Sequence, residues 1–186
     1  GTEIEWTERE FTLNVTIIDG EESRRCVYAQ GAANAQVDGF TLTRGYASGD
    51  GGGMLGGYSI HTSFIDNAAA YDGGGMYGGM AEKCLFKDNF AECAPLDYGG
   101  GGMCDGVAVN CIFTGNSTNY NGGGISMSTA IQCVIVGNHA ANEGGGLWHG
   151  SAKNCIVRQN TAKRQSNDVY PEDVVAYSCV VGGAEG

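Results

Sequence analysis

The sequence predicts an all-β solenoid in which short parallel strands stack in successive coils of roughly 22 residues. A Gly-Gly-Gly triplet and an Asn recur with identical steps of 22, 27, 22 and 22 residues, so two independent columns share one register. Apolar residues alternate with polar ones around a recurring Cys, which is typical of strands rather than helices. The triplets lie at 51–53, 73–75, 100–102, 122–124 and 144–146.

Length and composition limit the remaining fold and function classes. The chain has 186 residues, of which 33 are Gly, only 2 are Pro and 42% are hydrophobic, which predicts a single folded domain rather than collagen or a disordered chain. The formal net charge is -11, so the clustered basic surface that nucleic acid requires is not expected. No segment is apolar over the length of a membrane span, and we expect no membrane insertion.

Two of the columns are predicted to point into the solenoid as ladders. An inward Asn hydrogen-bonds to the turn backbone and to the Asn of the next coil, whereas an inward Cys behaves as a small hydrophobe. The Asn column comprises Asn67, Asn89, Asn116, Asn138 and Asn160. The Cys column comprises Cys84, Cys111, Cys133, Cys155 and Cys179. Such columns do not surround a common centre, so we expect no metal or other cofactor there.

The columns also define the limits of the solenoid. Extending them in both directions predicts about eight rungs in one domain at 15–186, with a five-residue insertion within 90–99 and an irregular loop near 163–174. Residues 1–14 precede the first rung, and their aromatic side chains favour an N-terminal cap over its strand edge.

These repeats resemble a known family. The units CLFKDN, CIFTGN and CVIVGN, with FIDN and the Gly-Gly-apolar continuation, are similar to repeats of right-handed parallel β-helix proteins of the polymorphic outer-membrane-protein type. The resemblance covers residues 12–183, although Ile135 and Val157 replace the Phe of the motif in later coils. It implies right-handed coiling and an extracellular or cell-surface location on bacteria. The same fold serves lyases, hydrolases, adhesins and stalks, so it does not select one function.

Two further cysteines are candidates for a disulfide. Cys93 lies in the insertion and Cys104 lies two residues after a glycine triplet, and both are expected to face outward. A bond between Cys93 and Cys104 and a pair of free thiols are both open at this point.

A stripe of aromatic and polar residues precedes the glycine triplets. If these side chains point outward, they form an edge suited to stacking on sugar rings and hydrogen-bonding to sugar hydroxyls. The alternative is that the tyrosines only shield the turn. The candidates for glycan binding are Tyr71, Tyr98, Tyr120, Asp72, Asn121 and Glu143.

An enzymatic alternative rests on the position before the Asn column. Arg44, Asp66 and Asp88 occupy this position on successive rungs, so the two carboxylates are expected about 5 Å apart, the spacing of strands. Such a pair suits retaining glycoside hydrolysis or a Ca²⁺ site. The resemblance adds the polysaccharide lyases, in which Arg44 or Lys87 would serve as the base. Against an enzyme, the coils lack the long loops that usually wall a substrate cleft.

The outward position after the Cys column is apolar in five successive coils, which predicts a contiguous patch. The patch comprises Leu85, Ile112, Val134, Ile156 and Val180. We expect the last coil to be covered by flanking coils of a longer protein, or by a second copy in end-to-end filaments. The leading hypothesis is a non-catalytic, structural or adhesive surface module, with a carbohydrate-active enzyme as the alternative.

Overall fold

The protein is a stack of parallel β-strands. The computed structural model describes residues 15–181, apart from residues 33, 94–97, 165–166 and 171. All strand pairs in this part of the chain are parallel, and the strands form four sheets along the axis of a solenoid. The predicted all-β parallel solenoid is therefore confirmed. Right-handed coiling stays a prediction, and the expected cap at 1–14 lies outside the described residues.

Two of the sheets, A and C, carry the longer strands. The eight strands of sheet A are Thr16–Asp19, Phe40–Thr43, Ser63–Ile65, Leu85–Lys87, Ile112–Thr114, Val134–Val136, Ile156–Arg158 and Cys179–Val181. The seven strands of sheet C are Gln36–Asp38, Tyr58–Ile60, Met80–Glu82, Val107–Val109, Thr129–Ile131, Ser151–Lys153 and Val174–Ala176. Strand order in both sheets follows the chain, so each strand pairs with its equivalents in the neighbouring coils.

Sheets B and D are built from two-residue strands. The six strands of sheet B are Val27–Tyr28, Met54–Leu55, Met76–Tyr77, Met103–Cys104, Ile125–Ser126 and Leu147–Trp148. The six strands of sheet D are Tyr46–Ala47, Ala68–Ala69, Phe90–Ala91, Ser117–Thr118, His139–Ala140 and Thr161–Ala162. A complete coil passes through sheets B, C, A and D in turn, which gives the solenoid four faces. Within the described residues, no helix is long and apolar enough to cross a membrane.

Strand pairing joins the residues that recur in the sequence. Met76 pairs with Met54 in the preceding coil and with Met103 in the following one. The step from Met76 to Met103 is five residues longer than the step from Met54 to Met76. The pairing keeps its register because the extra residues lie between the strands of sheets D and B. Since successive residues of a strand face opposite sides, the recurring apolar residues all face the interior.

Inward side chains stack on equivalent side chains of the next coil. The rings of Phe64, Phe86 and Phe113 lie parallel, with neighbouring centroids 4.5 Å apart. Ile135 and Val157 continue this column and are fully buried. The stack forms a continuous apolar interior, which one coil of about 22 residues is too small to provide by itself.

A ladder of buried asparagines runs beside the apolar column, as predicted. Oδ1 of Asn116 accepts hydrogen bonds from the backbone N and from Nδ2 of Asn89, at 3.1 and 2.9 Å. Nδ2 of Asn116 donates to the carbonyl of Phe86 at 3.0 Å and to Oδ1 of Asn138 at 2.9 Å. The other members of the Asn column repeat this pattern. Each buried amide is thereby satisfied by backbone and by its neighbours.

The ladder ends on an aspartate that the repeat pattern did not reveal. Oδ1 of Asp168 accepts hydrogen bonds from the backbone N and Nδ2 of Asn160, both at 2.9 Å, and Asp168 is 1% exposed. Its backbone lies where the next glycine triplet would be, since its carbonyl accepts the N–H of Gly146. A carboxylate offers the same acceptor as an amide, but burial raises the pKa of Asp168.

Each position of a glycine triplet has its own steric reason. Gly73 has a φ of +65°, which a residue without Cβ adopts at least cost. A Cβ on Gly74 would lie 2.3 Å from the carbonyl oxygen of Phe90, and a Cβ on Gly75 would lie 2.6 Å from that of Gly102. The triplet therefore lets the turn backbone pack directly against the next coil.

Four cysteines of the Cys column line up along the interior. The backbone N of Cys84 donates to Sγ of Cys111 at 3.4 Å, and the same contact joins Cys111 to Cys133 and Cys133 to Cys155. All four are buried and unbonded to one another. Their thiols fill the corner between sheets C and A and accept backbone N–H groups there.

The placement of Cys179 in the same column is wrong. Cys179 pairs with the outward-facing Ile156 and is exposed, and Ser178 takes the inward position, where its Oγ accepts the N–H of Cys155 at 3.0 Å. Val169 pairs with Leu147 whereas Val174 pairs with Ser151, so this coil has one extra residue between sheets B and C. Cys179 would follow Cys155 at the inward position only with two extra residues, a step of 24, whereas the step in the structure is 23, so the strand presents its other face.

The register of the last strand also changes which residues belong to the predicted apolar patch. Val180 pairs with Val157 and packs against the core, so it does not belong to the outer surface. The remaining members do face outward, and Ile112 and Ile156 are 46% and 44% exposed. The patch therefore covers four coils of sheet A.

We predict that Asn116→Ala lowers the free energy of unfolding by about 3 kcal/mol, because several buried N–H and C=O groups lose their partners at once. Urea denaturation followed by circular dichroism measures this change. The matched control is Asn119→Ala, since Asn119 is exposed in the adjoining turn, and it should change stability by less than about 0.5 kcal/mol. Equal effects of the two substitutions would contradict a ladder that stabilises the fold.

Candidate functional site

The polar residues before the glycine triplets turn inward instead of facing solvent. Oδ1 of Asp72 accepts the N–H of Gly99 at 2.8 Å, and Oδ1 of Asn121 accepts the N–H of Glu143 at 3.2 Å. Asp72 and Asn121 are 8% and 3% exposed, while Glu143 is half-buried. The expectation that Asp72 and Asn121 belong to an outer glycan-binding edge is therefore wrong, because their side chains hold the backbone of the next coil.

The three tyrosines of the predicted stripe have different surroundings. Tyr71 and Tyr98 are exposed, and Tyr120 is half-buried. Tyr71 and Tyr120 each follow a strand of sheet D, whereas the ring of Tyr98 lies 6.3 Å from that of Trp148, at the end of sheet B. Tyr98 thus belongs to a group of aromatic side chains that the sequence analysis did not identify. Glycan binding by the three tyrosines stays a prediction.

The outward side chains of sheet B form a row, which we call the sheet B row. It comprises Tyr28, Leu55, Tyr77, Cys104, Ser126 and Trp148. The signal for this row was present in the sequence, since each member directly follows an inward apolar residue and must face the other way. The row was missed because its residues differ in chemical type from coil to coil.

The middle of the sheet B row is covered. Oγ of Ser126 donates to the carbonyl of Tyr98 at 3.2 Å, and both Ser126 and Cys104 are buried although they face outward. Tyr77 and Trp148, on either side, remain partly exposed. The row therefore has two accessible ends.

One end of the row is an aromatic cluster around Trp148. Its ring centroid lies 4.1 Å from that of His149 and 6.1 Å from that of Tyr170, and His149 and Tyr170 stack at 5.0 Å. Nε1 of Trp148 is buried and has no hydrogen-bond partner among the described residues. The rings of Trp148, His149 and Tyr170 thus form one cluster through contacts with one another.

The other end of the row opens into a groove of about 460 Å³. Its lining includes Leu55, Tyr77, Gln30, Asp105 and the glycine pairs at 56–57 and 78–79. The volume falls within the range of small-ligand sites, and the lining combines one aromatic ring with a few polar groups. We call this feature the Tyr77 groove.

The residues of the enzymatic alternative lie on another face, in the turn between sheets A and D. Arg44, Asp66 and Asp88 occupy equivalent positions on successive coils, with φ values of 48°, 54° and 55°. All three are exposed. Arg44 forms an ion pair with Asp19, and Nζ of Lys87 lies 3.6 Å from Oδ2 of Asp88.

This arrangement offers little support for hydrolysis or lyase chemistry. A surface depression of about 510 Å³ is lined by Arg44 and Asp66, but its lining does not include Asp88. A glycosidase acid is held protonated by a partly buried environment, whereas both carboxylates are exposed here. Among the described residues, no group of three or more His, Cys, Asp or Glu side chains is arranged to hold a metal ion.

The Cys93–Cys104 disulfide is not formed in the structure, where both residues are free thiols. Sγ of Cys93 lies 2.9 Å from Oγ1 of Thr118, and Cys104 is 1% exposed. Burial raises the pKa of Cys93 to about 12, and it also raises the pKa of Cys104. Both thiols therefore stay protonated and weakly nucleophilic at neutral pH.

The comparisons with known proteins agree with this fold. Residues 110–128 match the family model of the Chlamydia polymorphic membrane protein repeat. The matched segment contains Cys111, Phe113, Asn116 and the glycine triplet at 122–124, which are the motifs that carried the resemblance. Together with the parallel solenoid, the match confirms the resemblance to β-helix repeats of this type. No curated protein and no solved structure matches the chain significantly.

We predict that the protein is more stable at pH 5 than at pH 8. Burial raises the pKa of Asp72 to about 6 and that of Asp173 to about 7, above the ordinary value of 3.8. The folded state therefore binds protons more tightly than the unfolded state, and this stabilisation is lost as the pH rises through 6 and 7. The free energy of unfolding from urea denaturation should differ by about 4 kcal/mol between the two pH values, since the two pKa values lie about one and two units above pH 5.

Asp72→Asn should flatten this pH dependence by about 1 kcal/mol. The substitution suits the site because Asn121 occupies the same turn position in a later coil. The control is Asp66→Asn, which removes an exposed carboxylate and should leave the pH dependence unchanged. A wild-type protein that gains stability between pH 5 and pH 8 would show the opposite sign and refute the prediction.

A second prediction follows from the register of the last coil. Cys179 is exposed, so a disulfide reagent such as DTNB should modify it rapidly in the native protein. The buried thiols of the Cys column should react only on unfolding. Cys26 and Cys93 are half-buried and can add slower phases, so the readout is the number of fast-reacting thiols. Cys179→Ser should lower this number by one, and an unchanged number would place Cys179 inside the solenoid.

Proposed function

We propose that this chain is a non-catalytic β-helix module displayed outside the bacterial cell, where it serves as a rigid structural and adhesive element. The observation that supports this most directly is the unbroken register of its four sheets, combined with the repeat match at 110–128. The name of the matched family refers to membrane proteins of Chlamydia, and it favours a location at the cell surface for this chain.

The interior is suited to a structural role. Buried Asn, Cys and Phe columns fill the solenoid. The cysteines among them accept backbone N–H groups of neighbouring coils, which is a packing role. Because each coil is fixed to the next by backbone and side-chain hydrogen bonds, the faces keep a constant spacing along the axis. Such a module holds outer side chains at set positions, which is what an adhesive surface requires.

The outer faces support an adhesive role. The Tyr77 groove and the aromatic cluster around Trp148 are partly exposed on one face, and sheet A carries the apolar patch on another. Aromatic groups of this kind are enriched at recognition surfaces. End-to-end contacts between copies stay a prediction.

Antibody labelling of intact cells tests the location. Antibodies raised against the purified module should bind intact and permeabilised cells of the source organism to a similar extent, since a surface module is accessible without permeabilisation. An antibody against a cytosolic protein is the control and should label permeabilised cells only. Labelling by the module antibody that appears only after permeabilisation would refute surface display.

A further inference from the structure

We propose that the Tyr77 groove binds the ring of an uncharged sugar, and that the face of sheet B is therefore the adhesive face of the module. This inference rests on the proposed function and gives its ligand class. The groove is a different site from the glycan-binding edge that the sequence suggested. Asp72 and Asn121 of that edge are buried.

The shape of the groove follows from the turn between sheets B and C. Two glycines form this turn in neighbouring coils, at 56–57 and 78–79, and all four have positive φ. An ideal Cβ on Gly78 would meet no heavy atom closer than 4.0 Å, so the space above this glycine is open. The backbone is therefore uncovered at Gly78, and a flat ring is able to lie over it.

Tyr77 supplies the apolar side of the groove. It lies in sheet B between Leu55 and Cys104, to which its backbone is paired, so its ring is held by a strand rather than by a mobile loop. Tyr77 is half-buried, and burial raises the pKa of its hydroxyl to about 12, so the O–H stays a donor at all physiological pH values. Sugar rings stack on such aromatic faces through their C–H groups.

Two polar side chains at the groove complete the recognition chemistry. Asp105 is exposed in the turn that follows Cys104, and its carboxylate accepts hydrogen bonds from hydroxyl groups. Gln30 also lines the groove, and its Oε1 accepts the Tyr28 hydroxyl at 3.3 Å, which helps to orient the amide. An aromatic face flanked by a carboxylate and an amide matches a ring that carries hydroxyls at its rim.

Charge and pairing disfavour other ligand classes. Asp105 is the charged residue of the groove lining, and the chain carries a net charge of -11, so phosphate, sulfate and uronate groups would be repelled. An extended peptide would need a free strand edge, but Met76–Tyr77 is paired on both sides, to Met54–Leu55 and Met103–Cys104. An uncharged sugar remains the class that fits.

The experiment is NMR on the ¹⁵N-labelled module with three neutral disaccharides as probes: lactose, cellobiose and N,N′-diacetylchitobiose, each up to about 20 mM, since one aromatic platform supports only millimolar affinity. At least one probe should shift the amide signals of Gly56, Gly57, Gly78 and Gly79 in a saturable way. A sulfated heparin disaccharide at the same concentration should not. This mapping uses the unmodified protein and does not depend on the folding of any variant.

Matched variants then assign the contact. Tyr77→Ala should weaken binding by about tenfold, the value of one stacking contact, while Tyr77→Phe should keep most of the affinity. Tyr46→Ala removes an exposed tyrosine of sheet D, which is another face, and should have no effect. Circular dichroism of each variant checks that the fold is kept.

Three results would overturn the proposal: no probe binds, the heparin disaccharide binds as well as the neutral probes, or the shifts map to Tyr71 or to the Trp148 cluster instead of the groove. Each of these leaves the cell-labelling result untouched, so a failure of the sugar site is distinguishable from a failure of surface display. Conversely, sugar binding by a protein that labels only permeabilised cells would keep the groove and refute the location.

Discussion

The stacking of one buried asparagine on the next is the constraint on which the rest of the solenoid depends. Each side-chain amide bonds to the backbone and to the Asn of the neighbouring coil, so a coil that slipped by one residue would leave several buried polar groups unpaired. The ladder therefore fixes the register. Once the register is fixed, like side chains meet, and the parallel rings of Phe64, Phe86 and Phe113 follow from it.

A fixed interior leaves variation to the outer faces and to the turns. The longest change in the repeat, the insertion within 90–99, leaves the pairing of Met76 with Met103 intact, and Tyr98 next to it lies against Ser126. The Tyr77 groove and the aromatic cluster lie on either side of this covered part of the sheet B row. Surface features thus arise where coils differ, while the core depends on what they share.

Buried carboxylates show how the same architecture handles irregular positions. Asp72 replaces a side-chain amide in the turn, and Asp168 replaces the Asn of the last ladder step, and in both cases an oxygen accepts backbone N–H groups that would otherwise be unpaired. Burial raises the pKa of each carboxylate, which links the stability of the module to pH. An amide avoids this cost, and the ladder position is Asn in five successive coils before Asp168.

The sequence by itself determined the solenoid, the repeat length and the inward Asn ladder, because a period shared by two columns requires equivalent residues to stack. It could not place Cys179 or Val180, since the Cys spacing implies a step of 24 residues where the structure has 23, and both registers leave an apolar residue inside. It also could not locate Asp168, which is adjacent to Asn160 only through the fold. The tertiary structure alone decided which polar side chains of the turns are buried. This depends on contacts between coils rather than on the pattern within one, and the Tyr77 groove exists only because four coils meet there.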